Sequence, residues 1–155
     1  PPPRPPRPAT GRGAPRHGTY SGKLLSGGSL DENGYANPPI IGPALDGSGG
    51  FAAVHDTDGG ELDGDTEWDR AVGPMQFIPE SWERFGIDAD GDGHPDPNQI
   101  DDAAASAAKL LCNGRDLSDP EDWVSAVKSY NMSGEYLTDV RDAANSYALR
   151  QPAAH

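Results

Sequence analysis

Apolar residues change their spacing along this chain near residue 79. Between residues 17 and 70 they come as short pieces, PPIIGPAL (38–45) and GFAAV (50–54), set among the turn formers Gly, Asp, Asn and Pro. That pattern predicts packed loop segments and one short hairpin. From Pro79 onward the spacing is helical. PESWERFG starts with a Pro suited to a first helical turn and ends on Gly86, suited to a C-terminal cap. DDAAASAAKLLCNG (101–114) begins with Asp at the capping position and closes on Asn-Gly. In DPEDWVSAVKSYN (119–131), Asp119 caps, Pro120 follows, and Trp123, Ala126, Val127 and Tyr130 share one face. SGEYLTDVRDAANSYALR (133–150) continues with Tyr136, Leu137, Val140, Ala144 and Tyr147 on one stripe. The expected fold is mainly α with long ordered loops, and 155 residues suffice for one modest core. Trp82 and Trp123 are read as core residues.

Composition divides the chain. Residues 1–16, PPPRPPRPATGRGAPR, hold almost nothing but Pro, Arg, Ala and Gly. Such a run builds no core and reads as an extended linker or tail. A wrong-frame reading of GC-rich DNA would give the same composition. Residues 17–150 are the expected domain and 151–155 a tail. The first 30 residues carry no acid, so all 25 acidic residues lie in the body, which is far more negative than the overall −13. A body of that sign repels phosphates and argues against a nucleic-acid partner. It suits a neutral or cationic partner, or bound divalent cations. No apolar run is long enough to span a membrane. With no signal peptide visible and no initial Met, the chain is expected to be processed, trimmed or incomplete. Cys112 stands alone and reads as a small buried hydrophobe, or as the remainder of a pair.

The acidic residues are patterned in one place. In DADGDGHPDPNQIDD (88–102), Asp88, Asp90 and Asp92 occupy positions 1, 3 and 5 of an EF-hand-like calcium loop, with Gly93 at position 6. Alternate carboxylates there converge on a hard cation, and Gly allows the sharp turn. His94 at position 7 would offer its backbone carbonyl. Position 12 holds Gln99 where Glu is usual, so Asp101 or Asp102 could close a longer loop. DTDGGELDGD (56–65) adds Asp56, Asp58, Asp63 and Asp65 without a matching spacing. It reads as a solvated loop, with a second cation as the alternative.

AVGPMQFIPESW (71–82) poses a separate question. Gln76 sits between Met75 and Phe77, so its amide is either satisfied inside the protein or shown to a ligand.

Together, DGDTEWDRAVGPMQFIPESW (63–82), GIDADGDGHPDPNQIDDAAASAAKLLC (86–112) and AVKSYNMSGEYLTDV (126–140) resemble the lytic murein transglycosylases of the membrane-bound type B group, in their actinobacterial-style form. The resemblance implies a lysozyme-like α domain acting on the glycan strands of peptidoglycan, secreted or in the cell envelope, and monomeric. It implies non-hydrolytic cleavage of the MurNAc-GlcNAc bond, with one carboxylic acid serving first as acid and then as base. That role needs a raised pKa and so a partly apolar pocket. It implies that Gln76 bonds the sugar with Met75 and Phe77 packed beneath it, and that Tyr130 and Asn131 lie near the scissile sugar. It also implies structural Ca2+ held by Asp88, Asp90, Asp92 and His94, and favours Asp102 as the closing ligand.

One departure stands out. The family's catalytic Glu lies three residues before a His-Gly pair, and counting back from His17-Gly18 lands on Ala14. Glu32, Glu61 and Glu80 do not take its place, two of them in acidic loops and one at a family Ser/Thr position. The expectation is a chain that keeps glycan affinity and lacks cleavage activity. The alternative is a non-catalytic, calcium-stabilised peptidoglycan-binding module. A dockerin-like module would need two matching Asp loops, and 56–65 does not match 88–99.

Overall fold

A computed structural model describes residues 28–50, 52–131 and 134–150. The expectations for 1–16, Ala14, His17 and 151–155 lie outside these residues. Two small antiparallel sheets precede four helices. β1 (Ser29–Leu30) pairs with β2 (Ala36–Asn37), and β3 (Ile41–Ala44) pairs with β4 (Arg70–Val72). α1 (Pro79–Phe85), α2 (Ile100–Cys112), α3 (Pro120–Tyr130) and α4 (Gly134–Arg150) follow. The domain is mostly helical, as the spacing predicts.

The helix ends sort the capping expectations. Asp119 caps α3 as read, its carboxylate accepting from the N–H groups of Glu121 and Asp122. α2 does not start as read. It begins at Ile100, so Asp101 falls inside its first turn, and its cap is Gln99, whose side-chain oxygen accepts from Asp102 N–H at 2.8 Å. Gly86 follows α1 without a left-handed backbone. Its small size matters for another reason, since a methyl there would stand 2.7 Å from the Trp82 carbonyl oxygen and 2.9 Å from its ring.

The hairpin is also paired differently. Residues 41–44 take 70–72 as their strand partner, while 53 and 54 meet 45 and 46 only through an isolated bridge and the Val54 N–H to Leu45 C=O bond. Strand 70–72 is too short to be seen in the hydrophobic pattern, and its pairing across nearly thirty residues is non-local.

The core is small and lies where α1, α2 and α3 meet. Phe77, Trp82, Ala107 and Leu110 form its buried centre, with Met75, Phe85, Leu111 and Tyr130 packed around it. Phe77 meets Trp82 edge-to-face at 5.2 Å and Tyr130 at 6.1 Å. Such pairs add about 0.5–1.5 kcal/mol beyond the area they bury. Trp82 is buried as expected, and Trp123 is half-buried on the expected face of α3. Cys112 is exposed, not buried, because it ends α2 beyond the last core residue, Leu110. No helix among the described residues is long and apolar enough to cross a membrane.

Side chains of the acidic stretch 56–70 hold its backbone in place. The buried Asp63 carboxylate accepts from the N–H groups of Asp65 and Arg70. Asp65 accepts from the N–H groups of Trp68 and Glu67, and from Arg70 Nε at 2.8 Å. These bonds, the backbone ones first, hold its carboxyl at about 2 against an ordinary 3.8. A value depressed in the folded state means that the stabilisation is complete above 3.8 and disappears as the pH falls through about 2. Asp65→Asn is therefore expected to lower the thermal midpoint at neutral pH, with the gap to wild type closing as the pH approaches 2. Circular dichroism melts across that range measure it, and a gap that does not depend on pH counts against it.

Candidate functional site

The turn that carries Gln76 is built from both ends. Val72 and Phe77 exchange N–H···O=C bonds of 2.7 and 3.0 Å, closing a four-residue turn over 73–76. Gly73 begins the turn with φ +78°, where L side chains are strained, and a methyl there would lie 1.8 Å from the Pro97 carbonyl oxygen. Only Gly fits. Its N–H donates to the Ile40 carbonyl at 2.8 Å, tying the turn to the start of β3.

Gln76 closes the turn in the left-handed region, at φ +52°. Among the described non-Gly residues it alone has a positive φ. Such a conformation costs about 1–3 kcal/mol, persists only where the surroundings enforce it, and clusters at functional sites. Both its backbone N–H and its side-chain Nε2 donate to the Gly73 carbonyl, at 3.0 and 2.9 Å. The side chain is nevertheless exposed. The open alternative for Gln76 is thus narrowed: the amide is oriented by the turn but not buried in it. Met75 and Phe77 on either side point inward, half-buried and buried respectively.

α3 supports the turn from below. The Tyr130 hydroxyl donates to the Met75 carbonyl, and its ring packs on Phe77. Burial first, and Tyr136 nearby second, push this hydroxyl up to about 12, so it remains a neutral donor. Tyr130 therefore reaches the Gln76 turn through the main chain. Asn131 follows it as the exposed C-terminal cap of α3, its N–H bonded to the Val127 carbonyl.

The loop 88–102 lies on the other side of Gly73. The carboxylate oxygens of Asp88, Asp90 and Asp102 approach within 4.8 Å of one another. That spacing lets them share one hard cation at the 2.3–2.6 Å that calcium takes from oxygen. Asp102 is fully buried at the start of α2, and accepts from the N–H groups of Ala89, Asp90 and Asp96. Asp88 accepts from those of Gly91 and Gly93, both at positive φ. Loss of hydration pushes the Asp90 carboxyl above its usual range, with its carboxylate neighbours adding to the rise. Asp92 sits beside the trio. One of its oxygens accepts from the Tyr35 hydroxyl at 2.7 Å and the other from His94 N–H. The bond to Asp92 holds the Tyr35 hydroxyl above its ordinary value. Gln99 is buried, its amide engaged by Asn33 C=O, Asp101 and the α2 cap.

In the second acidic stretch, Asp56 and Asp58 gather with Asp69 rather than with Asp63 and Asp65. Asp63 and Asp65 are committed to Arg70 and the local backbone. Asp69 is fully buried and bonds the Thr57 N–H and hydroxyl. It escaped the sequence reading because it lies beyond the 56–65 stretch, next to β4. Tyr35 and Asn98 were missed too: Asn98 Oδ1 accepts from Ile40 N–H, a partner 58 residues away.

Tyr130→Phe is expected to cost about 1 kcal/mol of stability through the lost bond to Met75. Gly73→Ala is expected to cost more, since it meets a backbone carbonyl instead of a movable side chain. Urea unfolding of both variants measures this, and Gly73→Ala being the milder of the two would contradict the packing described.

No curated protein and no solved structure matched the chain. A family model described as Transglycosylase SLT domain matched residues 53–151, a span that includes the Gln76 turn, the loop 88–102 and α1 to α3. On that match the chain belongs to the transglycosylase SLT domain family, whose general activity is lytic cleavage of peptidoglycan in a lysozyme-like domain.

Proposed function

We propose that this chain is a lytic transglycosylase domain of the membrane-bound type B group that binds peptidoglycan glycan strands at the Gln76 turn. The observation that carries this reading is Gln76 itself. It is an exposed amide, in a strained backbone conformation, oriented by a turn whose flanking residues are buried. Nε2 keeps one hydrogen for a ligand and Oε1 offers an acceptor beside it, which suits a sugar hydroxyl or an N-acetyl group. Asn131 adds a second exposed amide at the end of the helix that supports the turn.

In the reaction of this group, a carboxylic acid protonates the glycosidic oxygen as the bond from C1 of N-acetylmuramic acid breaks. The carboxylate then takes the proton from the C6 hydroxyl as O6 bonds to C1. A 1,6-anhydro end forms and no water is consumed. The residue at the family's acid position is Ala14, and Glu32, Glu61 and Glu80 are all exposed, unlike a general acid held in an apolar pocket. As a transglycosylase domain without its acid, the chain binds glycan and does not cleave it; the second reading is a non-catalytic, calcium-stabilised peptidoglycan-binding module. It works as a monomer outside the cytoplasm or in the cell envelope, where peptidoglycan is.

Calcium is the cation we assign to Asp88, Asp90 and Asp102, with Asp92 and the His94 carbonyl completing the set. The fit rests on an all-oxygen donor set and its spacing. The ion would pin the loop against Gly73 and takes no part in bond cleavage.

Two experiments test these assignments. Incubated with purified sacculi, the chain is expected to co-sediment without releasing anhydromuropeptides, and Gln76→Ala to weaken retention about tenfold. Anhydromuropeptides would refute the assignment at Ala14, and retention unaffected by Gln76→Ala would refute the groove. Calcium at a hundred times its Kd is expected to stabilise the fold by about 2.7 kcal/mol. Asp90→Ala should abolish that shift in thermal melts, and no shift in the wild-type chain would reject the ion.

A further inference from the structure

Gly42 lies in the middle of β3, directly under the Gln76 side chain. A methyl carbon at Gly42 would stand 3.2 Å from Gln76 Oε1, 3.2 Å from the Ala71 carbonyl oxygen and 3.6 Å from the Ala71 methyl. The backbone of Gly42 lies outside the left-handed region, unlike that of Gly73. Backbone conformation therefore does not require Gly here. What it supplies is room on one face of the strand, and the Gln76 amide fills that room.

The Gln76 side chain is held at two other points. Its Nε2 is held on the Gly73 carbonyl, and its own backbone is fixed at φ +52° by the turn. With one end of the amide tied and the other lying on Gly42, the plane of the amide is set. Of the groups a methyl would crowd, the Ala71 carbonyl belongs to a paired strand and the Gln76 oxygen to a side-chain tip. The tip moves the more readily, while the Ala71 carbonyl must give by a few tenths of an ångström.

We propose that Gly42 is a positioning residue for Gln76: the missing side chain sets the direction in which the amide meets the glycan. This rests on the reading that Gln76 binds glycan. Gly42 is not a catalytic residue, since it acts on the ligand through Gln76. Any side chain at 42 tilts the amide off the strand and changes the direction of its acceptor.

The test is a double-mutant cycle read by NMR, with chitohexaose as the probe. In the wild-type chain, a nuclear Overhauser contact is expected between the Gly42 α-hydrogens and the Gln76 side chain. Its absence overturns the proposal whether or not any variant folds. Gly42→Ala is expected to stay folded with a slightly lowered melting midpoint, to shift the Gln76 side-chain amide signals, and to weaken chitohexaose binding about tenfold. In a Gln76→Ala background the same substitution should cost nothing further. Unshifted amide signals overturn the proposal, as does a tenfold loss that persists without the Gln76 amide. If Gly42→Ala shifts the amide signals while Gln76→Ala binds chitohexaose like wild type, the geometric link stands and the glycan role of Gln76 falls.

Discussion

The contact between Gly73 and the Pro97 carbonyl oxygen is the constraint on which the rest of the site depends. No side chain fits between the two backbones, so the Gln76 turn and the loop 88–102 meet main chain to main chain. Main-chain packing leaves less slack than side-chain packing, because neither partner can change rotamer. The Asn98 side chain and carbonyl extend the contact to Ile40 and Ala36, so both small sheets are registered on the same limb of the loop. The turn thus takes its position from the loop on one side and from Tyr130 on the other.

The acidic composition acquires a structural meaning from this arrangement. Most of the aspartates in the loops accept backbone N–H groups, among them Asp31, Asp46, Asp58, Asp63, Asp88 and Asp116, as does Asp102 at the start of α2. Turns of this kind order a chain that has little apolar material to bury. Long loops in this domain are held by carboxylate-to-backbone bonds, while the aromatic cluster of Phe77, Trp82 and Tyr130 joins them to the helices. The charge in this way substitutes for missing core.

What could be read from the sequence follows how local each feature is. α3 was legible because its cap, its first-turn Pro and its apolar face all lie within twelve residues. The start of α2 was not, since the helix begins before Asp101 and its cap, Gln99, is held by the Asn33 carbonyl 66 residues away, which the helix pattern ignores. β4 was invisible because three residues carry no period, and only the partner strand defines them. Asp88 and Asp90 could be placed by spacing alone, whereas the gathering of Asp69 with Asp56 and Asp58 could not. Gln76 was conspicuous as a polar residue among apolar neighbours. Its left-handed backbone and its seat on Gly42 appear only once β3 and the turn are brought together.

The left-handed backbone at Gln76 also separates two properties that usually change together in a substitution. Most replacements alter the preferred backbone and the length of the side chain at once, so their effects cannot be divided. Asn tolerates this conformation better than other side-chain-bearing residues and carries the same amide one methylene nearer the chain. At this one position, conformation and reach can be varied independently, and an exposed amide can be withdrawn from its ligand while the turn beneath it keeps its shape.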